Sequence, residues 1–391
     1  MELKGSTLLT LTNSYPDEEN TMYGGIFVKE QVAYLKDYFK KVHVISPQPL
    51  GINRNLHDYK YDNVHVYFPK FLHMPLSIFR QRLGDNFFKS ALKVIRRENI
   101  KFDLIHAHFT WPSGYAGIKL KEKYGKPLIV TAHGFDVYDL PFRSSFWLKK
   151  IRKVLFHSDY VITVSRRNFK ILVEKLSVPS NKISIIPNGF DPRLFKILPK
   201  EEARLELGLP LNRKIILNVG NLVPVKGQRY LIQAMRIVHE QKDDVKLYIV
   251  GDGPLKNELK KYIRELGMQE VVELVGARPH EEMPLWMNAA DIFVLSSLSE
   301  GNPTVMFEAL GVGLPFIGTK VGGIPEIITS EDYGLLCEPA NPEDLAEKIL
   351  IALEKKWDRE KIKKYAQQFT WDNIVKQALK AYIKVLEGVK K

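Results

Sequence analysis

Apolar runs of strand length alternate with stretches of helical period along nearly all of the 391 residues. This alternation constrains the fold more than any other feature. In the first half, Leu8–Thr12, Val42–Ser46, Asp103–His106, Leu128–Ala132, Val161–Val164 and Ile183–Pro187 read as strands. Helices are predicted between them over Phe27–Phe39, Phe87–Arg97 and Phe146–Phe156. In the second half the strands are Ile215–Val219, Lys246–Val250, Val272–Val275, Ile292–Leu295 and Pro315–Gly318. Helical period covers Tyr230–Glu240, Pro254–Glu265, Pro284–Ala290 and Thr304–Leu310. Aliphatic and β-branched strands separated by helices predict parallel sheets covered on both faces. The class is α/β, with two such sheets.

At roughly 100–200 residues per domain, the length fits two domains, each able to bury its own core. Turn formers crowd Pro187-Asn188-Gly189-Phe190-Asp191-Pro192, and Lys196-Ile197-Leu198-Pro199 follows, so the boundary is expected between 196 and 197. The last stretch, Trp371 to Leu386, is amphipathic with no strand after it and must dock somewhere. The single cysteine, Cys337, excludes an intramolecular disulfide framework and a Cys-rich zinc cluster. No apolar run reaches the ~18 residues of a membrane span, and the N-terminus lacks a signal-type core. A cytoplasmic protein is expected.

The formal charge of +13 is uneven: residues 1–200 hold 32 Lys/Arg and 17 Asp/Glu, the remainder 26 and 28. The basic first half is expected to meet something anionic, whether nucleic acid, membrane surface or phosphorylated substrate. Two stretches mix cations with apolar residues. One runs from Lys70-Phe71-Leu72-His73-Met74-Pro75 through Ile78, Phe79, Arg80, Arg82, Leu83, Phe87, Phe88, Lys89, Lys93, Arg96 and Arg97. The other runs from Phe142-Arg143 through Trp147 to Phe156. Basic amphipathic helices of this kind suit an anionic membrane, and equally suit core-facing helices with a solvated basic face. No base-stacking or groove-reading motif is present, so no nucleic-acid partner is expected.

In open parallel sheets, ligands bind beyond the carboxyl ends of the strands, so those loops carry the functional reading. The most informative is Ser296-Ser297-Leu298-Ser299-Glu300-Gly301-Asn302-Pro303-Thr304-Val305-Met306-Phe307-Glu308. Pro303 is expected as the first helical residue with Asn302 as its cap, leaving the amides of Gly301, Thr304 and Val305 to face an anion. Glu300 and Glu308 would be repelled by a phosphate, so sugar or ribose hydroxyls are their expected partners. The same spacing also fits a capped helix with two surface carboxylates. In Gly220-Asn221-Leu222-Val223-Pro224-Val225-Lys226-Gly227, Lys226 is a point charge near a helix start, suited to phosphate or simply solvated. Gly24-Gly25 opens another helix and permits close approach of an anion, or is a plain loop. His133, in Thr131-Ala132-His133-Gly134-Phe135-Asp136, is a candidate for hydrogen bonding or proton transfer. His106 and His108 read as structural. No clustered ligand pattern appears, so neither a catalytic metal nor another cofactor is expected.

Taken in order, these segments resemble retaining glycosyltransferases of family 4, near the type of teichuronic-acid and cell-surface polysaccharide synthesis. The resemblance rests on Gly24-Gly25, Ile105-His106-Ala107-His108, Thr131–Asp136, Ile186-Pro187-Asn188-Gly189-Phe190-Asp191 and Lys226-Gly227. It continues through Gly251-Asp252-Gly253-Pro254, Glu300-x7-Glu308 and Val321-Gly322-Gly323-Ile324-Pro325-Glu326. It implies the GT-B architecture, two Rossmann-like parallel-sheet domains facing across a deep interdomain cleft. Residues 1–196 would bind the acceptor and 197–370 the donor, and 371–391 would pack back on the N-terminal domain. The donor would be a nucleoside-diphosphate sugar, UDP- or GDP-linked, and the acceptor a glycan or lipid-linked glycan, with peripheral contact to the inner face of an anionic membrane. By position, Glu308 would bind the ribose, and the Asn302, Thr304 and Val305 segment with Gly301 the diphosphate. Lys226 would neutralise it, Gly25 would approach it, Glu300 would contact sugar hydroxyls, and His133 would face the transferred sugar or acceptor. His133, Glu300 and Lys226 are the expected catalytic residues.

One position departs from the family. Where an arginine usually follows the glycine of the first loop, this chain has Asn221, a neutral donor in place of a bidentate cation. Either Lys226 carries the electrostatics alone, or another cation such as Arg229 substitutes. The expected reaction is hexosyl transfer by front-face displacement through an oxocarbenium-like state, with the leaving phosphate accepting the acceptor's proton. Helix-end amides and Lys226 would stabilise the leaving charge without a metal. The rival readings are a nucleotide-sugar epimerase of similar fold and a non-catalytic nucleotide-sugar-binding protein.

Overall fold

A computed structural model describes residues 3–20, 24–50, 56–71 and 77–388, with side chains from 80 onward in the last range. The segment Leu72–Pro75 and the side chains of Ile78 and Phe79, parts of the first basic stretch, lie outside it. The chain divides into two compact units, Met1–Pro187 with Trp371–Lys391, and Asn188–Thr370.

The first unit contains β1 (Thr7–Leu11), β2 (Lys41–Ile45), β3 (Gln48–Pro49), β4 (Tyr59–Tyr61), β5 (Val64–Tyr67), β6 (Lys70–Phe71), β7 (Leu104–His108), β8 (Leu128–Ala132), β9 (Tyr160–Thr163) and β10 (Ile183–Ile185). Eight of these form one sheet in the order β10-β9-β8-β7-β1-β2-β5-β4. All pairs are parallel except β4 with β5. Alternation along each strand fills two cores. Leu9, Leu11, Ile105, Ala107 and Val130 face one side, beneath helices Ser77–Arg97, Tyr115–Tyr124 and Ser145–His157. Leu8, Val42, Val44, Leu104 and Ile129 face the other, against Ile26–Leu35 and the terminal helix Trp371–Gly388. That helix buries Trp371, Ile374, Val375, Ala378, Tyr382 and Val385 at helical spacing. Trp371 Nε1 donates to Glu30 Oε2 at 2.8 Å.

The second unit holds β11 (Lys214–Val219), β12 (Val245–Val250), β13 (Val272–Gly276), β14 (Ile292–Leu295), β15 (Phe316–Thr319) and β16 (Gly334–Cys337). They form one parallel sheet in the order β13-β12-β11-β14-β15-β16. Residues 188–196 belong to this unit and not, as the boundary drawn at 196/197 expected, to the first. Phe190 and Phe195 are buried in its core, and Phe190 pairs with Thr370. The turn formers there open the second unit and do not close the first.

In both sheets the strand order reverses at a central pair, β1/β7 in the first and β11/β14 in the second. Loops leaving two such strands diverge to opposite faces and open a crevice at the sheet's carboxyl edge. The segments singled out above fall mainly at those two edges. Among the described residues, no helix is long and apolar enough to cross a membrane.

Candidate functional site

At the edge of the second sheet, the β11 and β14 loops are tied together. Lys226 Nζ donates to Glu300 Oε1 at 2.6 Å, and Ser297 Oγ donates to the same oxygen at 2.6 Å. Leu298 N donates to Val225 O, and Ser296 Oγ to Lys226 O. Glu300 is buried while Lys226 keeps part of its side chain in solvent. The loop beneath is equally close. Gly322 has φ 58°, and a Cβ there would stand 2.0 Å from Glu300 O. Gly323 N donates to Gly301 O at 2.9 Å. The Val321-Gly322-Gly323 segment is thus a floor that sets the height of the Glu300-Gly301 backbone.

The helix after this loop spans Thr304–Gly311, with Pro303 at the cap position and not, as expected, inside the first turn. Asn302 is not the cap either. Its Oδ1 accepts from Asn188 N at 2.8 Å and its carbonyl accepts from Asn188 Nδ2 at 2.7 Å. Those bonds fix the loop from behind and leave the helix start without a side-chain cap. The amides of Thr304 and Val305 have no intrahelical acceptor, and both residues are half-buried at the edge. Glu308, one turn on, is 1% exposed. Its Oε1 is 2.9 Å from His280 Nε2, while Oε2 is buried with no hydrogen-bond partner among the described residues. A buried carboxylate oxygen left unpaired is costly, so Oε2 is an acceptor in want of a donor.

Two cations were weighed for the Asn221 position. Lys226 is at the site. Arg229 is not: its guanidinium lies 3.7 Å over the Tyr262 ring and reaches toward Glu258. Asn221 is exposed, and its carbonyl accepts from Gln228 Nε2. Sequence reasoning missed His280, Ser297 and Asn188 as site residues. His280 follows β13 in the same kind of strand-end loop that singled out His133, so that rule would have found it.

At the edge of the first sheet, Gly25 caps Ile26–Leu35 with φ 84°. A Cβ on Gly25 would lie 2.2 Å from Ser14 O, so the loop's own packing already demands glycine. Asn13 Nδ2 donates to Trp111 O at 2.9 Å, joining the β1 and β7 loops across the reversal. Phe109 takes a left-handed φ of 75° just after β7, a strained position for a large side chain. Asp136 staples the neighbouring loop by accepting from Gly134 N and Thr110 N at 2.9 and 2.7 Å. Burial raises its carboxyl pKa, opposed by those amides. The His133 ring rests against Phe27 and Phe109, with centroids at 4.9 and 4.6 Å. Its Nε2 shares a hydrogen bond with His108 Nδ1 at 3.1 Å. Burial pushes the pKa of His133 and of His106 down to about 3, so both rings are neutral near pH 7. His106 is structural, as expected: it bonds Thr131 Oγ1 and the Tyr382 hydroxyl.

The basic stretches resolve differently from a membrane-facing pair of helices. In Ser77–Arg97 the described apolar residues Leu83, Phe87 and Phe88 pack on the core, and Arg80, Arg82, Lys89, Lys93, Arg96 and Arg97 are exposed. This is a core-facing helix with a solvated basic face. The second stretch keeps Phe142 47% exposed, with Lys175 Nζ 5.7 Å over its ring. Phe135 is 50% exposed, with the Arg143 guanidinium at 4.8 Å.

Two Rossmann-like units, each with its polar loops gathered at a strand-order reversal, have the GT-B architecture. The model for glycosyltransferase family 4 matches residues 24–194, and that for glycosyl transferases group 1 matches 199–369. TuaC of Bacillus subtilis, named as a teichuronic acid biosynthesis glycosyltransferase, is 30% identical over 88% of this chain and 88% of its own. A D-inositol 3-phosphate glycosyltransferase of Corynebacterium glutamicum is 28% identical over 72% of each chain. Among solved structures, sucrose-phosphate synthase of Thermosynechococcus elongatus superposes with a TM-score of 0.78 at 22% identity, over 98% of this chain and 100% of that one. HepE of Anabaena, in complex with UDP-glucose, gives 0.73 at 21% identity over 97% and 100%. The chain belongs to the family 4 glycosyltransferases and is an enzyme of that class.

Proposed function

We propose that the protein is a retaining hexosyltransferase that moves a sugar from a nucleoside-diphosphate sugar to a glycan or lipid-linked glycan acceptor, without a metal. The observation that carries this reading is the cluster at the β11/β14 reversal. There Lys226, in the β11 loop, is held by Glu300, in the β14 loop that leads to the open amides of Thr304 and Val305, with the unpaired Glu308 Oε2 one turn further on. A cation and helix-start amides suit a diphosphate, and buried carboxylates suit hydroxyls. Glu308 Oε2 takes a ribose hydroxyl, Glu300 the hydroxyls of the sugar, and Gly301, Asn302, Thr304 and Val305 form the diphosphate cradle. HepE, of like fold, is a UDP-glucose complex, which supports a UDP-sugar ahead of a GDP-sugar.

Bond cleavage builds positive charge at the anomeric carbon and negative charge on the leaving diphosphate. Lys226 and the Thr304 and Val305 amides stabilise that negative charge, and on this reading they take the role a metal would otherwise fill. On this reading no carboxylate acts as nucleophile; the acceptor attacks from the leaving group's side and its proton passes to the departing phosphate. Gly25 and His133 belong to the first unit, which on this reading binds the acceptor. Asn221 leaves Lys226 as the main cation.

The resemblance to TuaC supports an acceptor in cell-surface polysaccharide synthesis. The exposed Phe135 and Phe142, each beneath a cation, support peripheral contact with an anionic membrane. The test is turnover with purified enzyme in EDTA across UDP-, GDP- and ADP-sugars, with the anomeric configuration of the product read by NMR. Retention with a UDP-sugar at undiminished rate is expected. Inversion, abolition by EDTA, or release of an epimerised free nucleotide-sugar would overturn the reading. Co-sedimentation should favour anionic over neutral liposomes, and equal binding to both would remove the membrane contact.

A further inference from the structure

The proposed role of His133 leaves its neighbour His108 without a function. His108 ends β7 and is fully buried, and its carbonyl accepts from Ser113 Oγ. Its ring lies nearly parallel to that of His133, 16° apart with centroids at 5.4 Å. The rings are joined between His108 Nδ1 and His133 Nε2 at 3.1 Å. The two outer nitrogens, His108 Nε2 and His133 Nδ1, are buried and have no partner among the described residues. Nothing in packing requires a second imidazole there, since an apolar ring would fill the same volume.

Two neutral imidazoles carry two protons on four nitrogens, and one proton lies between the rings. If His108 Nδ1 donates, the other proton sits on His133 Nδ1, which is then a donor. If His133 Nε2 donates, the other proton sits on His108 Nε2, and His133 Nδ1 is a bare acceptor. The role of the one free His133 nitrogen is therefore set by which ring owns the shared proton. We propose that His108 is a positioning residue for transfer: it occupies His133 Nε2, fixes the ring plane, and leaves His133 Nδ1, buried and without a partner among the described residues, as the one ring nitrogen left to take up a substrate hydroxyl. This inference rests on the reading that His133 faces substrate.

The chemistry of the replacements separates this role from packing. The Asn amide falls near the place of a histidine Nδ1, whereas a Gln amide reaches toward Nε2. His108→Asn should restore the bridge, and His108→Phe and His108→Gln should not. With the full-length enzyme, His108→Phe and His108→Gln should lower kcat about 10- to 100-fold, with KM changed less than about threefold. His108→Asn should recover most of kcat. The ring ¹⁵N resonances of His133 should shift in His108→Phe and return toward wild type in His108→Asn. A role in volume alone predicts the opposite ranking, with Phe best and Asn worst, and that ranking overturns the proposal. So does an unmoved His133 resonance in His108→Phe, which is read without substrate. His133→Ala separates the two layers. Full turnover in His133→Ala overturns both readings, while inactive His133→Ala beside fully active His108→Phe overturns the inference alone.

Discussion

Tyr382→Phe tests how the terminal helix is held. His106 has both ring nitrogens engaged, Nε2 with Thr131 Oγ1 at 2.7 Å and Nδ1 with the Tyr382 hydroxyl at 2.8 Å. A neutral imidazole has one donor and one acceptor nitrogen. The buried phenol stays protonated, since burial drives its pKa far above the ordinary tyrosine value. The consistent pattern has Tyr382 donating to Nδ1 and Nε2 donating to Thr131. Removing the hydroxyl deletes one small atom and leaves Nδ1 as a buried acceptor with no partner. The ring itself, packed against Phe39 at 6.0 Å, stays in place. The cost is that of an unsatisfied buried group, about 1–3 kcal/mol. It falls on the docking of Trp371–Gly388, so the readout is hydrogen exchange of that helix. Its slowest amides should exchange about 5- to 150-fold faster, the same energy expressed as an opening equilibrium. The helix Gln228–Gln241, in the other unit, should not change. Exchange of the terminal helix within about twofold of wild type would refute the reasoning.

Lys226→Ala removes the cation and leaves buried Glu300 with the Ser297 hydroxyl but no counter-charge, so kcat should fall about 100- to 1,000-fold; near-normal steady-state turnover would contradict the role. Gly322→Ala forces a left-handed φ on alanine and a clash with the Glu300 carbonyl. It should destabilise by about 1–3 kcal/mol in urea melts and reduce turnover, and a neutral result in both would refute the floor role. Acid should weaken the first unit. The pKa of His43 is lowered to about 4, and those of His106 and His133 to about 3, chiefly by burial. The unfolded chain then binds more protons below pH 6.5, so stability present at pH 7 is lost as pH falls toward 4. The loss is about 2 kcal/mol per histidine by pH 5. Urea melts at pH 7 and 5 measure it, and equal stability at both would be inconsistent with neutral buried rings.

The strands legible in the sequence are those whose environment is uniform. β8, Leu-Ile-Val-Thr-Ala, is buried throughout, and an aliphatic run can mean little else. The hairpin β4/β5 is not legible in the sequence, because at the sheet edge Tyr-Lys-Tyr and Val-His-Val-Tyr alternate polar with apolar. The Asp62-Asn63 pair between the two strands is the signal available in the sequence, and Asp62 takes φ 48° there. β16, Gly334–Cys337, escapes the sequence reading because it opens on a glycine and leaves only Leu335, Leu336 and Cys337 as its apolar run, with no β-branched residue. At the site, residue types pointed to Glu300, Lys226 and Glu308 because a carboxylate or ammonium at a strand end needs a reason. Asn302 was assigned a cap because asparagine before Pro-Thr commonly caps. Its actual partner, Asn188, is over a hundred residues away, and no local pattern encodes a bond of that span. His108 was read as structural for the same reason: only the fold shows that it meets His133.

Net charge and exposed aromatics constrain the first unit in different ways. The +15 of residues 1–200 creates a long-range field that any polyanion would feel, and salt screens it over about 8–10 Å. That field cannot choose between a nucleotide, a nucleic acid and a bilayer. The helix Ser77–Arg97 illustrates this, since its basic face is solvated and its described apolar residues are spent on the core. On the proposed membrane reading the discrimination falls to Phe135 and Phe142, because half-exposed rings beneath guanidinium and ammonium groups would gain from a phase that is apolar just below an anionic surface. Phe135 also lies two residues from His133 in the same loop. On the proposed reading, a lipid-linked acceptor held at such a surface meets the loop that also carries His133.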